Sequence, residues 1–289
     1  MRTSMNLLLW TTHVTEEHYP LLEKLRDTGF DGVEIPIFEA AEAHYQKLGA
    51  KIKELGLGCT AMTVIPSQQQ NPLNPDKVAR KKGFEHIVLT ARKVAAMGGE
   101  ILCGPYHSPL GVFTNKPPTE DEKKRCAEVM HAAAEHAQKV NVKLAIEYLN
   151  RFECYFLTTA ADAKEFVKRV NHPNFRTMYD TFHANIEEKD IAKTIAGLAD
   201  VMIHVHISEN DRGVPGSRHI GNKEHPDWSE TFKALHKANY DGWLVIEAFG
   251  RALPDLAAAT RVWRDLFAKP EDVYTQGLRF MKVMWEEAR

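Results

Sequence analysis

The sequence predicts one α/β domain over residues 1–289, a (β/α)8 barrel with an extra C-terminal helix. Three observations lead there. Short β-rich runs alternate strictly with amphipathic stretches, which implies parallel strands joined by helical crossovers. That unit occurs eight times, which favours a closed barrel over an open doubly wound sheet. The length, 289 residues, suits such a barrel, which takes about 250. The strands are expected at Met5–Trp10, Gly32–Ile37, Cys59–Val64, Glu100–Pro105, Lys143–Leu149, Phe175–Thr181, Val201–Ser208 and Gly242–Phe249. Helical patterns fill the gaps, among them Asp76–Met97, Glu120–Val140 and Ile186–Leu198. Glycine or asparagine ends several of them: Thr28-Gly29, Met97-Gly98-Gly99, and Asn171 before Pro173. After the eighth strand come a helix near Leu253–Phe267 and a last one near Glu271–Glu287, surplus to the barrel and suited to cover its rim or meet another subunit.

Bulk properties narrow the function. Lys plus Arg (37) nearly balances Asp plus Glu (39), which speaks against a protein built to hold nucleic acid or an anionic membrane. No apolar run approaches the roughly 18 residues of a membrane span. The N-terminus MRTSMNLLLWTTHV reads as a first strand and not a signal peptide. The first βα turn, Trp10-Thr11-Thr12-His13, lacks GxGxxG, so no nucleotide cofactor is expected. Cys59, Cys103, Cys126 and Cys154 show no CxxC spacing and read as free thiols of a cytoplasmic protein.

Chemistry concentrates on strands five to eight. Residues at the C-terminal ends of barrel strands face the active site. Those ends offer Glu147, Asp180, His206 and Glu247, each inside an apolar run: Leu-Ala-Ile-Glu, Thr-Met-Tyr-Asp, Ile-His-Val-His and Leu-Val-Ile-Glu. A carboxylate buried there costs several kcal/mol if unpaired. One acidic strand end is ordinarily a helix cap or surface ion pair; four metal-ligand types on consecutive strands are hard to explain that way. A divalent cation would remove the cost for all four. Three carboxylates and one imidazole suit six-coordinate Mn2+, Mg2+ or Co2+ better than structural zinc. Two positions would remain for adjacent oxygens of an α-hydroxyketone.

Glu147 and Glu247 stand three strands apart, so they can approach a substrate from opposite faces. Epimerisation beside a carbonyl needs that: one carboxylate takes the proton, the other returns one to the opposite face. The plainer alternative makes both ligands only. Glu153, His183 and Arg212 fall on loops at the same mouth and suit hydroxyl and enediolate oxygens. Trp10, His13, Tyr106, His107, Phe113 and Phe249 are candidates to line a sugar pocket, or rim packing. His204 shares the inward face of His206, as a lower-layer core residue or, second, a partner of His206. His131, His136 and His236 lie on helical stretches and read as surface or packing residues.

Four segments together resemble the D-tagatose 3-epimerase family, which includes D-allulose (psicose) and L-ribulose 3-epimerases within the xylose isomerase-like barrels. They are Glu147-Tyr-Leu-Asn150-Arg151-Phe152-Glu153, Met178-Tyr-Asp180-Thr-Phe-His183-Ala-Asn185, His204-Val-His206-Ile-Ser-Glu-Asn210-Asp-Arg212-Gly and Ile246-Glu247-Ala-Phe249. The resemblance implies reversible C3 epimerisation of free ketoses through a cis-enediolate on Mn2+ or Co2+. It implies Glu147, Asp180, His206 and Glu247 as metal ligands, the two glutamates as proton carriers, and Glu153, His183 and Arg212 at the O1–O3 end of the sugar. The stretch Pro215-Gly216-Ser217-Arg218-His219 through Trp228 departs from the family's compact Pro-Gly-x-Gly-His-like turn, which leaves substrate preference open in loop 213–228. A hydroxypyruvate isomerase or inosose dehydratase would share the metal arc. An endonuclease IV-type enzyme would want further ligands at the second and third strand ends, where Pro36, Ile37, Val64 and Ile65 stand. A non-catalytic sugar binder would have no use for two opposed glutamates. The last helix suggests a homodimer or homotetramer.

Overall fold

A computed structural model describes every residue except 40, 218, 221, 222, 225 and 226, and describes no side chains within 218–226. The expected departure at Arg218 and His219 therefore lies outside the described side chains. The first seven strands are β1 (Arg2–Asn6), β2 (Gly32–Pro36), β3 (Gly58–Met62), β4 (Ile101–Gly104), β5 (Lys143–Ile146), β6 (Phe175–Asp180) and β7 (Met202–Ile207). A short antiparallel pair follows, β8 (His219–Ile220) with β9 (Lys223–Glu224). Then β10 (Trp243–Ile246) closes the barrel between β7 and β1, and every barrel pairing is parallel.

The helices are α1 (Tyr19–Thr28), α2 (Glu42–Glu54), α3 (Lys77–Met97), α4 (Glu120–Lys139), α5 (Ala160–Val170), α6 (Thr181–Glu187), α7 (Ile191–Leu198), α8 (Trp228–Lys237), α9 (Pro254–Thr260) and α10 (Pro270–Glu287). The fourth shows why such stretches fold as helices. Thr119 and Glu122 form a reciprocal capping box, and Glu120, Asp121 and Glu122 oppose the positive end of the helix dipole. Its buried stripe, Cys126, Ala127, Met130, Ala133, Ala134 and Ala137, follows helical spacing. Small side chains there let α4 lie close on the barrel.

Three expectations are corrected. The first strand runs Arg2–Asn6, not Met5–Trp10: the Asn6 side chain caps a 3-10 turn over Leu7–Leu9 and ends the strand there. The single helix expected at Ile186–Leu198 is two: α6 ends at Glu187, and Asp190 caps α7 afresh through Lys193 N–H. After β10 the roles of the two helices are exchanged. The last helix, α10, packs against α1, α8 and β10 and so completes the ring. The surplus helix is α9, which ends at Thr260 because Arg261 turns left-handed at φ 61°.

Strand alternation then sets the site. Apolar inward positions fill the barrel: Cys103, Ala145, Met178, Trp243 and Val245 form one buried cluster. Two residues on from Ala145, Met178, His204 and Val245, in the same parity, come Glu147, Asp180, His206 and Glu247. The mouth inherits their inward direction.

Candidate active site

The backbone pins each of the four strand-end residues. Glu147 and Glu247 lie one residue past the assigned strands, yet their amides still bond to the neighbouring strands, at Gly104 O (3.1 Å) and Ile207 O (3.2 Å). Asp180 and His206 are paired in register between β6 and β7. Gly104 adopts φ 119°, and a Cβ there would stand 2.2 Å from Thr63 O, so only glycine lets β4 pass this close.

Glu147, Asp180, His206 and Glu247 are at most 4% exposed. One ligand atom from each of Asp180, His206 and Glu247 lies within 4.8 Å of the others, and the same holds for Glu147, Asp180 and His183. Asp180 thus joins the two groups. His206 Nδ1 stands 3.3 Å from Glu247 Oε1, is buried, and has no hydrogen-bond partner. An unpartnered ring nitrogen among three carboxylates fits a divalent cation: the donor set is oxygen-rich with one nitrogen.

Burial, and then the Glu247 carboxylate, push the Glu147 carboxyl well above its usual range. Burial lifts Asp180 to about 6, with Arg212 pulling the other way. Burial acts on Glu247 too, but His206 and Arg212 outweigh it and hold this carboxyl below its ordinary value.

Arg212 is the fixed cation of the site. It is 5% exposed and donates through Nη1 to Glu247 Oε2 (2.6 Å), Ser208 Oγ (2.9 Å) and Asp180 Oδ2 (3.0 Å). The guanidinium carbon lies over the Phe182 and Phe249 rings, 3.8 and 5.0 Å from their centroids. His183 Nδ1 faces the Asn150 backbone amide at 3.0 Å, and its Nε2 stands 3.1 Å from Arg212 Nη2 and 3.5 Å from Glu147 Oε1. Burial, then Arg212 and His206, keep that ring neutral. Asn150 also holds Glu153 Oε1 at 2.7 Å.

Glu147, Glu153, His183, Arg212 and Glu247 line a cavity of about 470 Å3, a volume suited to a small molecule. Its walls include Leu8, Phe38, Met62, Val64, Phe249 and, from α9, Leu256. Of the six aromatic or histidine candidates for this wall, Phe249 alone is on it. Tyr106 and His107 are wholly buried away from the opening, Phe113 is 42% exposed, Trp10 packs on Tyr274, and His13 stacks on His44. Strand-end position does not fix which way a loop side chain turns. His131, His136 and His236 bond backbone carbonyls of Val170, Ala132 and Trp285 on the helical layer, as expected of packing residues.

Glu34, inward on β2 and wholly buried, was not among the expected site residues. It accepts from both His204 Nε2 and His206 Nε2 at 2.7 Å. His204 is therefore more than lower-layer filling: it shares a carboxylate with His206. Burial would raise the Glu34 carboxyl, but the two imidazoles hold it well below its ordinary range. Its parity with Asn6 and Thr60 was the available signal.

A closed eight-stranded barrel with acidic and imidazole groups gathered at its C-terminal mouth defines a broad class of enzymes. Residues 22–284 match the family described as xylose isomerase-like TIM barrel. A D-psicose 3-epimerase of Agrobacterium fabrum is 31% identical over 261 residues, covering 89% of this chain and 88% of that one. A probable ketose 3-epimerase of Synechocystis sp. is 27% identical over 286 residues, covering 99% and 97%. The structure of an L-ribulose 3-epimerase superposes with a TM-score of 0.92 at 28% identity, covering 100% and 95%. The chain belongs to the xylose isomerase-like TIM barrel family and, within it, to the ketose 3-epimerases.

Proposed function

We propose that this protein epimerises free ketoses at C3, with one divalent cation, Mn2+ before Co2+ or Mg2+, held by Glu147, Asp180, His206 and Glu247. The observation that carries this reading is the buried Asp180–His206–Glu247 cluster, with an unpartnered His206 Nδ1 and with Glu147 joined to it through Asp180. When bound, the cation polarises the ketose carbonyl and so eases loss of the neighbouring proton. Glu147 and Glu247 enter from strands three apart in the barrel order, so one accepts the C3 proton while the other supplies one to the opposite face. Arg212 donates to sugar oxygens, the neighbouring His183 imidazole meets a sugar hydroxyl, and Glu153 accepts from another. The names of the relatives put D-psicose and L-ribulose among the first sugars to try.

Four buried free thiols fit a reducing cytoplasm, and among the described residues no helix is long and apolar enough to cross a membrane. A homodimer or homotetramer is the assembly expected; sedimentation measures it.

The test is a panel of D-fructose, D-allulose, D-tagatose and L-ribulose in D2O, with chelator-stripped and Mn2+-reloaded protein, followed by NMR. Mn2+-dependent C3 epimers carrying deuterium at C3 are the expected result. Absence of exchange on every ketose would overturn the reading and turn attention to hydroxypyruvate or inosose as substrates.

A further inference from the structure

The proposed proton transfers leave unused a wholly buried carboxylate on which five donors converge. Glu34 receives Asn6 Nδ2 on Oε1 (2.9 Å) and Thr60 Oγ1 on Oε2 (2.8 Å), from the residues paired with it in register on β1 and β3. The Cys103 thiol reaches Oε2 from β4 at 3.3 Å. His204 Nε2 and His206 Nε2 arrive from β7, three strands away, each at 2.7 Å. At those distances Glu34 is hydrogen-bonded directly to both His204 and His206.

An ionised carboxylate only accepts hydrogen bonds. Both imidazoles must therefore carry a proton on Nε2. For His206 this leaves Nδ1, the atom without a partner, aimed at Asp180 and Glu247. A neutral ring with the opposite tautomer would present an N–H there and could not ligate. The register of three strands thus reaches the cation site through one tautomer.

We propose that Glu34 is a positioning residue that holds the proton of His206 on Nε2, orients its Nδ1 lone pair into the site and thereby sets cation affinity. This role rests on the metal reading above. Carboxylates placed behind a metal-binding histidine also raise its basicity, and losing one typically weakens binding about 10- to 100-fold.

The test compares chelated wild type, Glu34→Gln and Glu34→Leu, titrated with Mn2+ alone by electron paramagnetic resonance. Asn6 would keep the Gln amide oxygen on the His206 side, so His206 retains its acceptor, while the charge is lost and the amide nitrogen faces His204 and Thr60. The expected order is a loss of up to about tenfold for Gln and about 100-fold for Leu. Turnover lost at low Mn2+ returns at saturating Mn2+, which a merely structural defect would not show. The second measurement needs no variant to fold: 15N-histidine spectra of chelated wild type should show His206 Nε2 protonated from pH 6 to 9. Wild-type affinity in folded Glu34→Leu, or a bare Nε2 in wild type, overturns the proposal. Wild type that takes up no Mn2+ while keeping its Nε2 proton overturns the metal reading itself, and the role of Glu34 falls with it.

Discussion

Arg212 donates to Glu247 at 2.6 Å from a backbone held in the left-handed region, at φ 66°. That conformation costs a non-glycine residue about 1–3 kcal/mol and persists only where the surroundings enforce it. Here the enforcement is visible: the Arg212 amide bonds Glu209 O (2.8 Å) and its carbonyl accepts Phe249 N–H (2.9 Å). The turn delivers a guanidinium to Glu247 and Asp180, two of the carboxylates assigned to the cation.

Arg212→Ala should therefore separate two roles. Mn2+ content should stay near wild type, because no assigned ligand atom is lost, while turnover falls at least about 100-fold. Unfolding in urea with chelator present should show a loss of about 3 kcal/mol, since Asp180 and Glu247 stay buried with their Arg212 partner gone. The loss should shrink when Mn2+ is added. Loss of the metal from this variant would make Arg212 part of the cation site's framework.

Glu147→Gln and Glu247→Gln should each lower epimerisation about 1000-fold or more, because each removes a proton carrier and a ligand charge. Steady-state rates at saturating Mn2+ check this. Near-normal turnover in either variant sinks the two-base scheme. Glutamine matches glutamate in size, so packing around Gly104 and Ile207 should survive.

Much of this site was legible before the fold, for a physical reason. Glu147, Asp180, His206 and Glu247 interrupt apolar strands, where an unpaired charge is costly, so their presence signals a shared partner. Glu34 was not legible in that way. Its strand, Gly-Val-Glu-Ile-Pro, alternates like one with a solvated polar face, and only barrel closure brings β7 across to meet it. The end of β1 was hidden because Leu7–Leu9 reads as continued strand until the Asn6 side chain is seen to cap it. Tyr106 and His107 failed as pocket residues because their rotation about the loop depends on tertiary packing. The ring-closing role of α10 depends on which helices flank it, a long-range fact that periodicity does not contain.

Stripping the metal should lower thermal stability as well as activity. A ligand that binds only the folded chain adds about 2.7 kcal/mol when its free concentration is 100 times Kd. For a chain of this size that is a rise of several degrees. Thermal scans of chelated protein against added Mn2+ should show it, with the shift growing with concentration. A midpoint indifferent to Mn2+ would mean that the Asp180–His206–Glu247 cluster does not hold the ion.

The last prediction concerns acid. His107 is wholly buried, with Nδ1 at 2.8 Å from Ser108 Oγ and its ring against Phe156, and burial drives its pKa from 6.5 down to about 3. In the unfolded chain the same ring takes up a proton near its ordinary value. Between those two values the unfolded state binds more protons, so stability falls as pH falls. The slope approaches about 1.4 kcal/mol per pH unit well below 6.5, or about 2 kcal/mol at pH 5. His107→Gln removes this contribution whatever its packing cost at neutral pH. Denaturant unfolding at pH 7 and pH 5 should show the variant losing about 2 kcal/mol less than wild type over that interval. Equal losses would mean that the folded protein protonates His107 readily, and that its burial does not exclude the charge.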